Sequence, residues 1–350
     1  MDRILTVTRD SLDQLLEQLA HRLDVDTSSV VPFTDFTDVM TALLEHVGNG
    51  RGRLLIAGHA SPDIAIAAER AGLRSEEIVG ASPFVSHPED ILEAVDNSAD
   101  LVYLANPNRV TGSSYSLSHL KRIAQRIPDG TLILDEKYYD YYGISGLPLL
   151  DRYSHVVIAR SLTAGFNISS GESGCLVGCP GFMSGFRNYY QWSRITSAMF
   201  RLLSTSLANG PSAAKRLTRV HDELLRIANE LTGIGVQNRI TSADFLLLRV
   251  ADPRRVANFV AGFGAPLENL EMYPDLQNYL RYRVQSPLSN DDFLTAFRRM
   301  PSEYYHMADI DRRVIMFHRP GESVPDGPSD QTKDRESTAG CQPSQEEVPV

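Results

Sequence analysis

The sequence predicts an α/β protein: a mostly parallel sheet covered by helices on both faces, followed by a smaller α+β unit. Two observations carry this. Short, nearly continuous apolar runs alternate with amphipathic helical stretches over the first half of the chain, and such runs mark strands buried on both faces. After residue 240 strands and helices alternate again in a shorter series.

The elements follow in order. Residues 10–23 place Leu12, Leu15, Leu16, Leu19 and Leu23 at helical spacing. Residues 37–47 give a second helix, and Asn49-Gly50-Arg51-Gly52 a turn. Leu54–Ala57 reads as a buried strand, 62–72 as a helix, Leu101–Ala105 as a strand, and 116–127 as a helix. Thr131–Asp135, His155–Ala159 and 174–179 are further strands. Residues 182–209 read as long interior helices and 212–232 as another helix. The smaller unit holds strands at Ala243–Val250 and Leu280–Val284, with helices at 253–262 and 290–299. From about Gly321 the chain is rich in Pro, Ser, Gly, Asp and Glu and nearly free of large apolar residues. Such a segment cannot offset its ordering entropy, so it is expected to be disordered.

Charge and composition narrow the function classes. The formal charge of -10 over 350 residues argues against a nucleic-acid partner, which needs a basic face. No apolar stretch reaches the roughly eighteen residues of a membrane span, and the N-terminus lacks a basic segment followed by an apolar run. A cytoplasmic protein is expected. Of the three cysteines, Cys175 and Cys179 stand in a C-x3-C spacing with no second Cys/His pair, so no metal site is expected.

Four blocks then resemble the histidinol-phosphate aminotransferases, within the fold-type I enzymes that depend on pyridoxal phosphate (PLP). Leu104-Ala105-Asn106-Pro107-Asn108-Arg109-Val110-Thr111-Gly112 resembles their N-P-N-N-P-T-G loop. Leu134-Asp135-Glu136-Lys137-Tyr138-Tyr139 resembles D-E-A-Y-Y. Arg160-Ser161-Leu162-Thr163-Ala164-Gly165-Phe166, leading to Gly171-Glu172-Ser173-Gly174, resembles R-T-F-S-K-A-F-G-L-A-G-L-R-L-G. Tyr279-Leu280-Arg281-Tyr282-Arg283-Val284 resembles Y-L-R-I-T-V. The resemblance implies a seven-stranded type of sheet in a large domain (26–232), an N-terminal helix or small-domain segment (1–25) and a small C-terminal domain (233–320), with the tail at 321–350. It also implies a dimer, to which the aromatics Phe186, Tyr189, Tyr190 and Trp192 are candidate contributors.

What the resemblance implies for chemistry is only partly present. Asp135 matches the aspartate that pairs with the pyridinium nitrogen, and Tyr138 the tyrosine that reaches the phenolic oxygen. Ala164 stands at the lysine that holds the cofactor covalently, Glu172 at the arginine that clamps its phosphate, and Arg109 at an asparagine. The Gly-rich phosphate loop matches Phe33–Asp38, which holds no glycine to let backbone amides approach a phosphate. No aromatic falls near Ala60–Asp63 to stack on a ring. Asn108 and Thr111-Gly112 shape the turn after their strand; Thr163 retains a hydroxyl. Lys137 replaces a small alanine; either it fills a vacated pocket and pairs with Asp135 or Glu172, or it is a relocated cofactor lysine. Arg281 matches an arginine that grips a substrate carboxylate, with an ordinary ion pair as the alternative.

Three functions are therefore carried forward. The first is a non-catalytic binding or regulatory homologue, as a homodimer or paired with an active paralogue, with no cofactor expected and at most weak PLP binding. The second is a repurposed enzyme holding another small molecule in the old cleft, with Lys137, Asp135, Tyr138 and Glu172 as acid/base candidates. The third is an aminotransferase using a lysine elsewhere, of which Lys121, Lys137, Lys215 and Lys333 are the four available.

Overall fold

The structure is a computed structural model that describes residues 9–48, 52–82, 84, 87–96, 100–161, 173–190, 200, 204, 207 and 210–307. Seven strands form the main sheet: β1 (Val30–Phe33), β2 (Arg53–Ala57), β3 (Arg74–Ile78), β4 (Leu101–Ala105), β5 (Thr131–Asp135), β6 (Val156–Ser161) and β7 (Gly174–Gly178). Their order is β1-β7-β6-β5-β4-β2-β3. Only β7 runs against the others, pairing antiparallel with both β6 and β1.

Alternate residues of each strand enter opposite layers, as the pleat requires. Leu55, Val102, Leu104, Leu132 and Leu134 pack on one face with Leu15 and Leu19 of α1 (Arg9–Leu23). On the other face Leu54, Ile56, Tyr103 and Ile133 meet Val39 and Leu43 of α2 (Phe36–Gly48) and Ile64 of α3 (Pro62–Arg70). The short α4 (Pro88–Ala94) and α5 (Leu117–Arg126) supply Ile91, Leu120 and Ile123 to the first face. After α6 (Tyr139–Tyr142), α7 (Pro180–Tyr189) gives Met183 and Phe186 to the second.

A four-stranded antiparallel sheet follows, with β8 (Gln237–Ile240), β9 (Phe245–Arg249), β10 (Glu268–Asn269) and β11 (Tyr279–Arg283) in the order β10-β11-β9-β8. Its core faces α8 (Gly210–Gly233), α9 (Pro253–Ala261) and α10 (Pro287–Arg299) through Leu224, Ile227, Val256, Phe293 and Phe297. The rings of Tyr282 and Phe293 stack at 3.6 Å. A separate apolar cluster of Val110, Tyr138, Phe245, Leu247 and Tyr273 joins this sheet to the loops of the first.

Strands 101–105 and 131–135 fall where the apolar runs place them. β1 and β3 were not expected. Both are edge strands: β1 is four residues with a central proline, and β3 is Arg-Ser-Glu-Glu-Ile, exposed along four of five positions. Edges of that kind carry charge or proline instead of a hydrophobic pattern. Of the helical stretch expected at 182–209, the structure describes α7 continuously. Phe186 is fully buried in its own core and stacks on Tyr190 at 5.5 Å, so it is not available as a dimer contact; Tyr189 is 49% exposed. Trp192 and the tail from Gly321 lie outside the described residues.

Candidate functional site

The C-terminal ends of the parallel strands β2, β4, β5 and β6 converge, which is where open α/β sheets place their sites. Asp135 is the last residue of β5 and is 1% exposed. The pairing register sets Ala105 opposite Asp135, so Tyr103, two residues back, lies on the same face. Its hydroxyl donates to Asp135 Oδ2 at 2.6 Å. Burial pushes the Tyr103 phenol well up, the charge of Asp135 adds to this and Arg109 opposes it; Tyr103 therefore remains a proton donor. The backbone N–H of Lys137 donates to the other oxygen, Oδ1, at 3.0 Å.

The cation facing Asp135 comes from the loop after β4. Asn108 builds that loop: its Oδ1 accepts from the backbone N–H groups of Val110 and Thr111 at 2.9 and 3.0 Å, and its Nδ2 donates to the His59 carbonyl at 3.2 Å. Gly112 closes the turn with φ 66°, and a Cβ there would lie 2.3 Å from Thr241 Cβ; both the angle and the space call for glycine. Arg109, 6% exposed, projects from this loop. Its Nη2 meets Asp63 at 2.9 Å, its Nη1 meets Asp135 Oδ2 at 3.5 Å, and its Cζ lies 4.7 Å from the Phe36 ring centroid.

Arg281 on β11 is engaged with Glu268 through Nε at 2.8 Å, and its Nη1 donates to the Arg109 carbonyl at 2.6 Å. The second sheet thus holds the backbone of the loop that carries Arg109. Tyr138 is 2% exposed and turned toward the same sheet, where its hydroxyl accepts from Arg283 Nη2 at 3.2 Å and its ring packs on Phe245. Arg283 in turn grips Asp244 at 2.6 Å. Lys137 lies on the wall of a cleft lined also by Phe33, Phe36, Asp135, Arg160 and Ser161. The cleft encloses about 10 Å³, room for one water molecule. Its ammonium stands 5.8 Å from the Tyr138 ring centroid.

The segment Phe33–Asp38 is the end of β1 and the start of α2. Phe33 and Phe36 meet edge to face at 6.3 Å, and Asp35 Oδ1 accepts from the Asp38 backbone N–H at 2.8 Å. The amide at this helix start is thereby capped by the chain's own carboxylate.

A second buried acid adjoins the first. Glu136, 1% exposed, forms an ion pair with Arg160 Nε at 2.6 Å and accepts from the Gly146 N–H and the Ser145 hydroxyl. Arg160 lies over the Tyr139 ring at 3.5 Å. Burial pushes the Glu136 carboxyl up, against the pull of Arg160 and its donors.

The structure therefore brings Asn108, Arg109, Asp135 and the Lys137 backbone together, and turns Tyr138 away from them. Thr163, Ala164 and Glu172 lie outside the described residues. Lys121 lies in α5 and Lys215 in α8. Tyr103, Asp63 and the Glu136–Arg160 pair were not singled out from the sequence; the strand register is the signal that finds Tyr103. Among the described residues no group of three His, Cys, Asp or Glu is placed to hold a metal ion, and no helix is long and apolar enough to cross a membrane.

This sheet order and cleft position are those of the fold-type I proteins, and comparison with known proteins identifies the family. The profile of the aminotransferase class I and II family matches residues 6–286, and the chain belongs to that family. A histidinol-phosphate aminotransferase of Chlorobium luteolum is 31% identical over 202 residues, 55% of each chain. The chain spans little more than half the length of the first curated relatives it matches. A histidinol-phosphate aminotransferase from Sinorhizobium meliloti, solved in complex with pyridoxal-5'-phosphate, superposes with a TM-score of 0.75 at 16% identity, over 84% of this chain and 83% of that one. An L-threonine-O-3-phosphate decarboxylase from Porphyromonas gingivalis gives 0.68 at 17% identity, over 81% and 87%. The shared fold thus carries more than one reaction, as fold alone does not fix chemistry. PLP is the cofactor normally bound in this family.

Proposed function

We propose that this chain is a degenerate aminotransferase homologue that has given up PLP-dependent transamination. It acts in the cytoplasm as a non-catalytic binding or regulatory partner, as a homodimer or paired with an active paralogue. One observation carries the reading: Asp135 is already engaged by the chain itself, through Tyr103, Arg109 and the Lys137 N–H. A pyridine ring needs that carboxylate and the space before it. The described part of the cleft encloses about 10 Å³, room for one water molecule and not for a ring. The residues described do not fit the cofactor, and no chemical step is assigned through it. The sequence adds Ala164 and Glu172 at positions where the resemblance requires a lysine and an arginine. Arg281, the candidate substrate grip, is engaged with Glu268.

One feature favours a second reading. Lys137 shares the cleft wall with Asp135, the position an enzyme with a relocated lysine would use. The deciding experiment titrates the purified chain with PLP and with its amine form, following cofactor absorbance. Borohydride and mass spectrometry then report any covalent adduct. The expected result is no spectral change, no adduct and no transamination of histidinol phosphate, the activity named in its relatives. A reducible adduct on Lys137 would overturn the proposal in favour of the second reading.

A further inference from the structure

Asp135 and Asp63 both present carboxylates to one guanidinium. Arg109 meets Asp63 at 2.9 Å and Asp135 at 3.5 Å, with its Cζ 4.7 Å from the Phe36 ring centroid. Tyr103 completes the rim by donating to Asp135, and Arg281 pins the Arg109 carbonyl from the second sheet. Acids beside a cation and an aromatic ring against it are elements with which proteins bind amidinium and protonated heteroaromatic ligands. Here every element is present, and the cation is a side chain of the same molecule.

We infer that the cluster of Asp63, Asp135 and Phe36 is a planar-cation site whose occupant is Arg109, a built-in ligand that closes the site to diffusible cationic rings. This rests on the proposed reading that the chain does not hold PLP against Asp135. It goes further in assigning the site a ligand class. Asp63, Asp135 and Phe36 are its recognition elements, Arg109 fills it, and Arg281 is a positioning residue that acts through the Arg109 backbone. Removal of the Arg109 side chain then creates a vacancy that an external planar cation can enter.

The test is chemical rescue of Arg109→Ala in the full chain. Thermal unfolding is followed by near-ultraviolet circular dichroism, with guanidinium chloride added at constant ionic strength. Guanidinium at about 10 mM is expected to raise the midpoint of the variant by roughly 3 °C or more, the response of a ligand that binds only the folded state. Wild type is not expected to respond, because its site is filled. Tetramethylammonium, a cation without a plane or donors, is expected to leave the variant unchanged. An equal response of wild type and variant to guanidinium, or none in either, would overturn the inference. If Arg109→Ala does not fold, the double variant Arg109→Met with Asp135→Asn decides. Removing both charges together is expected to give a folded protein that ignores guanidinium; an unfolded double variant, or one that guanidinium stabilises, would overturn the inference. The two readings fail separately. PLP binding by wild type defeats the proposed function, whereas failed rescue in a chain that still ignores PLP defeats only the planar-cation site.

Discussion

Asp135 and Glu136 are consecutive, equally buried acids, each faced by an arginine, yet the two pairs differ in origin. Glu136 and Arg160 both match the residues that the resembled motifs carry, and their network with Ser145, Gly146 and Tyr139 is local, running from the end of β5 through α6 to β6. Asp135 also matches its motif, but Arg109 stands where an asparagine is implied. Its contact is longer, shared with Asp63, and held from the second sheet by Arg281. One pair consists of two motif residues; the other sets an arginine against the aspartate that, by the resemblance, faces the cofactor. A buried carboxylate needs a partner in either case, and the chain supplies it from whichever loop the topology brings near.

That contrast can be broken or sharpened by measurement. Arg160→Ala should have the largest effect, because it leaves Glu136 buried without its cation; a loss of about 3–5 kcal/mol is expected from urea unfolding. Arg109→Ala should lose less, about 2–3 kcal/mol in the same assay, since the Tyr103 hydroxyl and the Lys137 N–H continue to serve Asp135. Equal losses would mean that the two acids are compensated alike and that the contrast is false. The smallest effect belongs to the second sheet. Glu223 is held below the usual carboxylate range chiefly by hydrogen bonding to Arg226, with Asn290 adding to it. Its contribution is therefore complete above the ordinary value of about 4.3 and is lost as pH falls through the lowered folded value. Acid unfolding of Glu223→Gln and wild type should differ at neutral pH and converge only once the pH has fallen below the lowered folded value.

Much of both sheets was legible because β4, β5 and β9 have continuous apolar centres, as strands buried on both faces do. β3 was not, since its Arg-Ser-Glu-Glu reads as a solvated loop until β2 is beside it. At the site, Asp135, Arg109 and Arg281 could each be named from motif positions. Their contacts could not. The Asp135–Arg109 pair depends on the path of the loop that Asn108 ties to His59, and the Arg281–Glu268 pair on the register of β10 against β11. Tyr103 carried no motif at all and gains its meaning only from the register of β4 on β5. Long-range pairing decides such contacts, and local pattern does not encode it.

The link from Arg281 to the Arg109 carbonyl has a consequence for how this lineage can change. Losing Arg109 removes the cation between two acids, losing Asp135 leaves Arg109 to Asp63 alone, and losing Arg281 loosens the loop on which both depend. Each single step passes through a less stable protein, so the pair behaves as a ratchet. A change at any one of these positions is therefore felt at the others, while surfaces away from this loop vary independently of it.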